Sequence, residues 1–296
     1  MKTHKLVFLT TLLAISTFVS AQEYAFKVLA NKGNNEVKSG PEWQPLKTGA
    51  TLNSGDEVKL SDNAYIGLVH SSGKPVEVKS AGVHKVSDLE NKVPSGSSVL
   101  NKYTDFILSS NASGGNRLSA TGAVSREVKD GVAIKLALPE KDANTGIFNS
   151  TAIINWDGSN VEGPYIVTLK NMFEDVLSKD ETSDSKYVID FNNSKYAREN
   201  AILIEVSSKA NPKLVSQRHL VKQMPPAERE KIASALKEIE SQISEETALN
   251  KVFLAGFYEN NNLLIDAIYA FEQALKLEPG AYEASYEDFL LRHNLK

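Results

Sequence analysis

Between Trp43 and Leu89 the chain sets short apolar runs between turn residues, and that spacing constrains its fold more than any other feature. Trp43-Gln44-Pro45-Leu46 leads to Gly49, and Leu52 is followed three residues on by Gly55-Asp56. Val58-Lys59-Leu60 then precedes Asn63-Ala64 and the alternating run Tyr65 to His70. A turn at Ser71-Ser72-Gly73-Lys74 separates this run from Pro75 to Lys79, and Ala81-Gly82 precedes a last short run at Val83 to Val86. Apolar runs of strand length, bounded by Gly, Asn, Asp and Pro, are the pattern that hairpins require. The stretch is expected to be a small β-module. Nothing in it supplies a catalytic set, so it points to binding.

The order Trp-x-Pro-Leu, Gly, Leu-x-x-Gly-Asp-x-Val, Asn-Ala, an alternating apolar run and a Gly turn resembles the FecR domain, an extracytoplasmic module. The likeness spans Phe26 to Leu89. Ser71-Ser72-Gly73-Lys74 stands where the family has a richer Asp-Gly-Ser turn. The resemblance implies the fold and an envelope setting, and not sigma-factor regulation.

An envelope setting also follows from the first residues. Met1 to Ala21 carries Lys2 and Lys5, an apolar run from Leu6 to Val19, and a small-residue ending at Ser20-Ala21. This pattern is expected to be a secretory signal peptide cut after Ala21. An uncut anchor is the alternative, but the apolar run is short for a membrane span. No later stretch is long and apolar enough to cross a bilayer, so no transmembrane span is expected in the mature chain. The expected location is periplasmic or secreted.

The rest of the chain divides by periodicity. Tyr24, Phe26 and Val28 open a strand ahead of the turn Asn31-Lys32-Gly33-Asn34. Val99, Leu100, Tyr103, Phe106 and Ile107 fall at helical spacing after Ser97-Ser98, which predicts a helix packed on the β-module. Ser109 to Thr121 reads as a loop. Val132, Ile134, Leu136 and Leu138 lie on one face of a strand ending at Pro139. Further strands are predicted at Ile153–Trp156, Tyr165–Leu169, Lys186–Phe191, Ala201–Val206 and Leu214–Val221. Their spacing resembles an immunoglobulin-like β-sandwich. Pro225-Pro226 marks the change to helix.

Leu254, Ala255, Tyr258, Ala267, Phe271, Ala274 and Pro279 resemble one tetratricopeptide repeat over about Ala248 to Pro279, with Ala255 where the family prefers glycine. Small residues let two helices approach, Phe271 fills between them, and Pro279 ends the second. A single repeat cannot bury its own faces. The helix from Ala227 to about Ile243 and the segment Tyr282 to Leu291 are expected to cover it, unless some apolar face is left for a partner.

The expected fold class is therefore multidomain and mainly β. A signal peptide (1–21) precedes a FecR-like β-domain (22–96) and a helix and linker with a strand (97–143). An immunoglobulin-like sandwich (144–223) and a helical tetratricopeptide-like segment (224–296) complete the order.

Charge and composition narrow the function. Removing Lys2 and Lys5 leaves 31 basic against 37 acidic residues, so the formal charge moves from −4 to −6. That balance argues against nucleic acid and anionic membrane surfaces as partners. Zero cysteines removes disulfides and thiolate chemistry together.

Several constellations invite a chemical reading. Lys47-Thr48-Gly49, Ser61-Asp62-Asn63 and Ser71-x-x-Lys74 are the three motifs of a serine β-lactamase, but in reverse chain order and with Ser71 on a predicted turn. His70 and His84 could converge with Asp56 or Asp62 on a metal, although no pair has helical ligand spacing. Asp180-Glu181 is placed in a loop and Glu245-Glu246 near a helix start, where both read as solvated charge. Trp43 and Trp156 are expected in the core, with a sugar-stacking platform as the alternative if they are exposed. Trp43, Tyr65, Tyr258 and Phe271 are the candidate binding residues. The sequence implies no enzyme and no cofactor. An envelope protein partner is expected, with a cell-wall glycan as a further ligand. An assembly scaffold using the β-domains as spacers, or a cell-wall hydrolase, are the other readings.

Overall fold

The computed structural model describes residues 24–96, 98–104, 107–108, 133–139, 146–196, 198–243 and 245–296. The expected signal peptide, the loop Ser109 to Thr121, Phe106 and Val132 lie outside them. The described chain is mostly β-sheet with a helical C-terminal part, and no helix in it is long and apolar enough to cross a membrane.

The first unit contains β1 (Phe26–Lys32), β2 (Glu36–Lys38), β3 (Gln44–Pro45), β4 (Thr51–Leu52), β5 (Glu57–Leu60), β6 (Tyr65–His70), β7 (Pro75–Val78), β8 (Gly82–Lys85) and a short helix α1 (Val86–Glu90). They form two four-stranded antiparallel sheets, β4-β1-β6-β7 and β3-β2-β5-β8. Phe26, Val28, Leu52, Ile66 and Leu68 from the first sheet meet Val58 and Leu60 from the second in one core.

The other face of the first sheet is buried as well. A register shift between Val28 and Ala30 lets β1 send Leu29 and Ala30 to that side, beside Tyr65 and Val69 of β6. Tyr65, Ile66, Gly67, Leu68 and Val69 are accordingly all buried. A strand covered on both faces carries a continuous apolar run instead of alternation. Residues 101–104 and 107–108 are helical, and Leu100, Tyr103 and Ile107 join the cluster on this second face. Ser98 Oγ accepts from the Leu100 amide at 3.1 Å, the role expected of a cap.

The second unit contains β9 (Lys135–Leu136), β10 (Gly146–Ile147), β11 (Thr151–Asp157), β12 (Tyr165–Lys170), β13 (Val176–Thr182), β14 (Lys186–Asp190), β15 (Ala201–Ser208) and β16 (His219–Gln223). A five-stranded sheet β10-β16-β15-β12-β13 packs on a three-stranded sheet β14-β11-β9, and every pairing is antiparallel except β10 with β16. Burial in β15 alternates strictly, with Ile202, Ile204 and Val206 inside. Trp156 lies in this core at 5% exposure, its ring edge-on to Tyr165 at 5.3 Å.

Two expectations fail here. Asp180-Glu181 sits on β13 and not in a loop: Val176–Thr182 pairs along β12, and its Lys, Asp and Glu residues hide the strand period. The strand expected over Leu214–Val221 is regular only from His219, while Val215 and Ser216 make isolated bridges.

The helical part contains α2 (Pro226–Glu240), α3 (Ala248–Asn260), α4 (Leu264–Leu277) and α5 (Glu283–Arg292). Thr247 caps α3 by accepting from the Asn250 amide at 3.3 Å. Ten of the thirteen residues of α3 are buried, so this helix is covered nearly all round. Its neighbours are α4 on one side and the open face of the first sheet on another. The cluster that holds α3 and α4 also contains Leu29, Tyr65 and Val69 from the first unit and Ala137 and Phe148 from the second.

Candidate functional site

Tyr65 lies at the seam between the first sheet and the helices, fully buried. Its hydroxyl donates to Glu77 Oε1 at 2.7 Å and stands 2.6 Å from the Tyr282 hydroxyl. Glu77 has only acceptors, so Tyr65 gives its proton there and Tyr282 donates to Tyr65. Glu77 Oε1 also accepts the Leu249 amide at 2.8 Å, in the first turn of α3, where a carboxylate complements the helix dipole. Lys79 reaches Glu77 at 3.2 Å and Glu278 at 2.6 Å, which ties the strand to the end of α4. Burial works against the charge on Lys79, yet the Glu278 and Glu77 carboxylates hold it above its ordinary value. Burial is also the main reason that the Tyr65 hydroxyl titrates far above the usual range, with Tyr282 and Glu77 adding to it.

Gly67 makes this arrangement possible. A Cβ there would lie 2.6 Å from the Tyr282 hydroxyl and 3.3 Å from that of Tyr65. Only a residue without a side chain lets the two rings meet edge-on, at 5.9 Å.

Beside this network the fold leaves a groove of about 990 Å³. Its floor is β7 with Lys74 and Lys79. One wall is Lys92 to Pro94, and the other runs from Ser241 at the end of α2 to Asn250 in α3. Lys74 closes one end by donating to the main-chain carbonyls of Pro94 at 2.8 Å and Ser95 at 2.9 Å. Asn250 is 7% exposed; its Nδ2 donates to the Glu245 carbonyl at 2.8 Å, while among the described residues its buried Oδ1 has no hydrogen-bond partner. A smaller cavity of about 250 Å³ lies along β8, beside Val83 and His84.

The four candidate binding residues do not converge. Tyr258 is buried in the helical cluster next to Phe148, and burial pushes its hydroxyl up to about 12. Phe271 stacks on Tyr286 at 5.3 Å within the same cluster. Trp43 corrects the expectation of a core residue, being half-buried with the Lys38 and Lys59 ammonium groups 5.8 and 5.6 Å from its ring centroid. It precedes a two-residue exposed edge strand, where no second layer can cover it.

Other singled-out groups are held locally. Lys74 is spent on the Pro94 and Ser95 carbonyls and, among the described residues, makes no hydrogen bond to Ser71. His70 Nδ1 lies 2.7 Å from Ser72 Oγ, and His84 Nε2 lies 2.8 Å from the Ser80 carbonyl. Among the described residues no group of three or more His, Cys, Asp or Glu could hold a metal ion. Asp180 accepts from the Tyr187 hydroxyl at 2.6 Å, and Glu181 pairs with Lys209 at 2.7 Å.

Sequence reasoning missed Glu77, Asn250 and Lys92. Each is a polar residue without motif context, and only the docking of the helices onto the sheet gives it a role.

No protein-family model matches the chain, and no curated protein matches it. Among solved structures it is similar to the complex of Porphyromonas gingivalis RgpB pro- and mature domains, at 20% identity over 31% of this chain, with a TM-score of 0.22. The match spans 19% of that chain, and a superposition this poor carries no argument about fold or function.

Proposed function

We propose that this is an exported, non-catalytic binding protein of the cell envelope that engages its partner through the groove between the first β-unit and the helices. The observation that carries this reading is the groove, the larger of the two cavities described, built jointly by a β-module and the helical segment. The leader-like residues Met1 to Ala21 and the ordered glycines of the FecR-like stretch support the envelope setting. The second unit is read as an immunoglobulin-like sandwich. Supporting this is its strand order, β14-β11-β9 against β10-β16-β15-β12-β13, with consecutive strands switching sheets as such folds require. The helix pair α3 and α4 is read as the tetratricopeptide-like hairpin. Its apolar faces are spent inside the chain, which moves the proposed contact surface away from Tyr258 and Phe271 to the groove. A protein partner is the first expectation and a cell-wall glycan the second.

A photo-crosslinking residue placed at Ser80 or Ile243, both lining the groove, tests this in living cells. Crosslinks to one envelope component from these positions, and none from an exposed control at Asn192, are expected. Crosslinking from Asn192 but not from the groove would move function to the sandwich.

A further inference from the structure

β7 is the last strand of its sheet, and its outer edge forms the groove floor. The bond from the His70 amide to the Lys74 carbonyl, at 2.9 Å, fixes which residues pair inward. With Leu68 opposite Val76 and Ile66 opposite Val78, the even-numbered residues of β7 exchange bonds with β6. The odd-numbered ones turn outward. The Pro75 and Glu77 carbonyls and the Glu77 and Lys79 amides therefore point into the groove, where no strand of the sheet lies beyond them.

We propose that the groove takes an extended acidic peptide, which adds to β7 as a fifth strand of the first sheet. This rests on the groove being the contact surface. Strand addition satisfies the outward main-chain groups of β7. Charge selects the ligand. Lys92 on one wall has no carboxylate partner among the described residues, and Lys74 is held only by neutral carbonyls. Glu77 is already committed to Tyr65, Leu249 and Lys79, and with Glu245, the other carboxylate in the lining, it is outnumbered by Lys74, Lys79 and Lys92. Lys74, Pro75 and Lys79 on the edge, together with the two walls, discourage indiscriminate pairing. An acidic strand overcomes the lysines.

The test uses full mature protein and a fluorescent octapeptide of alternating threonine and valine with two central aspartates. Its twin is N-methylated at alternate peptide bonds, which removes the donors strand addition needs. Expected results are tenfold or greater weakening for the N-methylated twin, severalfold weakening by Lys92→Glu, and new amide protection at Glu77 and Lys79 on binding. Equal affinity of the twin, absence of protection at Glu77 and Lys79, or no binding of the plain peptide overturns strand addition. Ser80→Trp, which fills the groove, separates the two claims. If it abolishes binding while the twin binds as well as the plain peptide, the groove stands and strand addition falls. If both peptides bind Ser80→Trp unchanged, the groove reading falls too.

Discussion

The two β-units solve burial differently. The sandwich closes on itself: its two sheets face one another, and β15 alternates inside and outside along its length. The first unit also pairs two sheets, but its central sheet has a second apolar face that only the helices cover. Helix α4 touches the sandwich through Ile265, through Asp266 and through Asn155, which donates to Glu272 at 2.9 Å. Those contacts are additions to a finished core. Against the first sheet, α3 helps complete the core instead, joining Leu100, Tyr103, Ile107 and Tyr282 in the cluster that buries Tyr65, Val69 and Leu29.

This difference predicts unequal dependence on the C-terminus. Ending the chain at Gln223 exposes one apolar face of the first sheet, and burying each large side chain there is worth about 1.5–3 kcal/mol. The first unit should lose its protease resistance and the sandwich should keep its own, as limited proteolysis with mass mapping would reveal. Equal survival of both units would erase the distinction.

A local version of the same test is Gly67→Val. The new side chain meets the Tyr282 and Tyr65 hydroxyls, so the variant should lose on the order of 3 kcal/mol by urea denaturation. A loss below about 0.5 kcal/mol would mean that the seam between sheet and helices is slack.

Asp266 sharpens the other side of the comparison. It is fully buried and accepts the Phe148 and Asn149 amides, each at 2.8 Å, which joins the sandwich to α4. Burial raises its carboxyl to about 6, against the opposing pull of those amides and of Arg229. A raised carboxyl favours the folded state fully below its unfolded value near 3.8 and loses that contribution as pH climbs through 6. Stability from this group should fall by roughly 3 kcal/mol across that window. Asp266→Asn removes the titration and one acceptor, so its deficit relative to the parent should shrink from pH 4 to pH 7 in thermal melts. A deficit independent of pH would show that Asp266 does not titrate there.

The smallest effect is expected at Phe173, 86% exposed on the turn between β12 and β13. That turn is held by the Asn171 side chain, which accepts the Phe173 and Asp175 amides at 2.9 Å each. Phe173→Ser should change stability by less than about 0.5 kcal/mol and leave crosslinking from Ser80 untouched. A change in crosslinking would place the partner on the sandwich as well.

Much of the β-rich order with helices at the end was legible, for reasons visible in particular residues. Pro225-Pro226 sits where the helices begin, and Ala255, Ala267 and Ala274 lie buried in the helical hairpin, where small residues allow close approach. The double burial of β6 was less legible, because Tyr65-Ile66-Gly67-Leu68-Val69 reads as alternating or as continuous depending on how Gly67 is counted. Strand β13 hid behind Lys179, Asp180 and Glu181 at a sheet edge, where the first and last are exposed and Asp180 turns to the Tyr187 hydroxyl. Trp43 misled because an aromatic in a strand-forming stretch is usually covered, and here it is only half-buried, with two lysine ammonium groups near its ring. The groove left no trace at all. Its polar residues lie far apart in sequence and meet only when α3 docks on β7.

The most direct test of the shared core is native-state hydrogen exchange on the mature chain in graded denaturant. The amides of β6 and of α3 should open together, at one free energy and one denaturant dependence, with β12 and β15 opening in a separate step. If β6 opened with β5 and β8 while α3 stayed protected, the helices would be a separate body resting on a finished module, contradicting a core shared between sheet and helix.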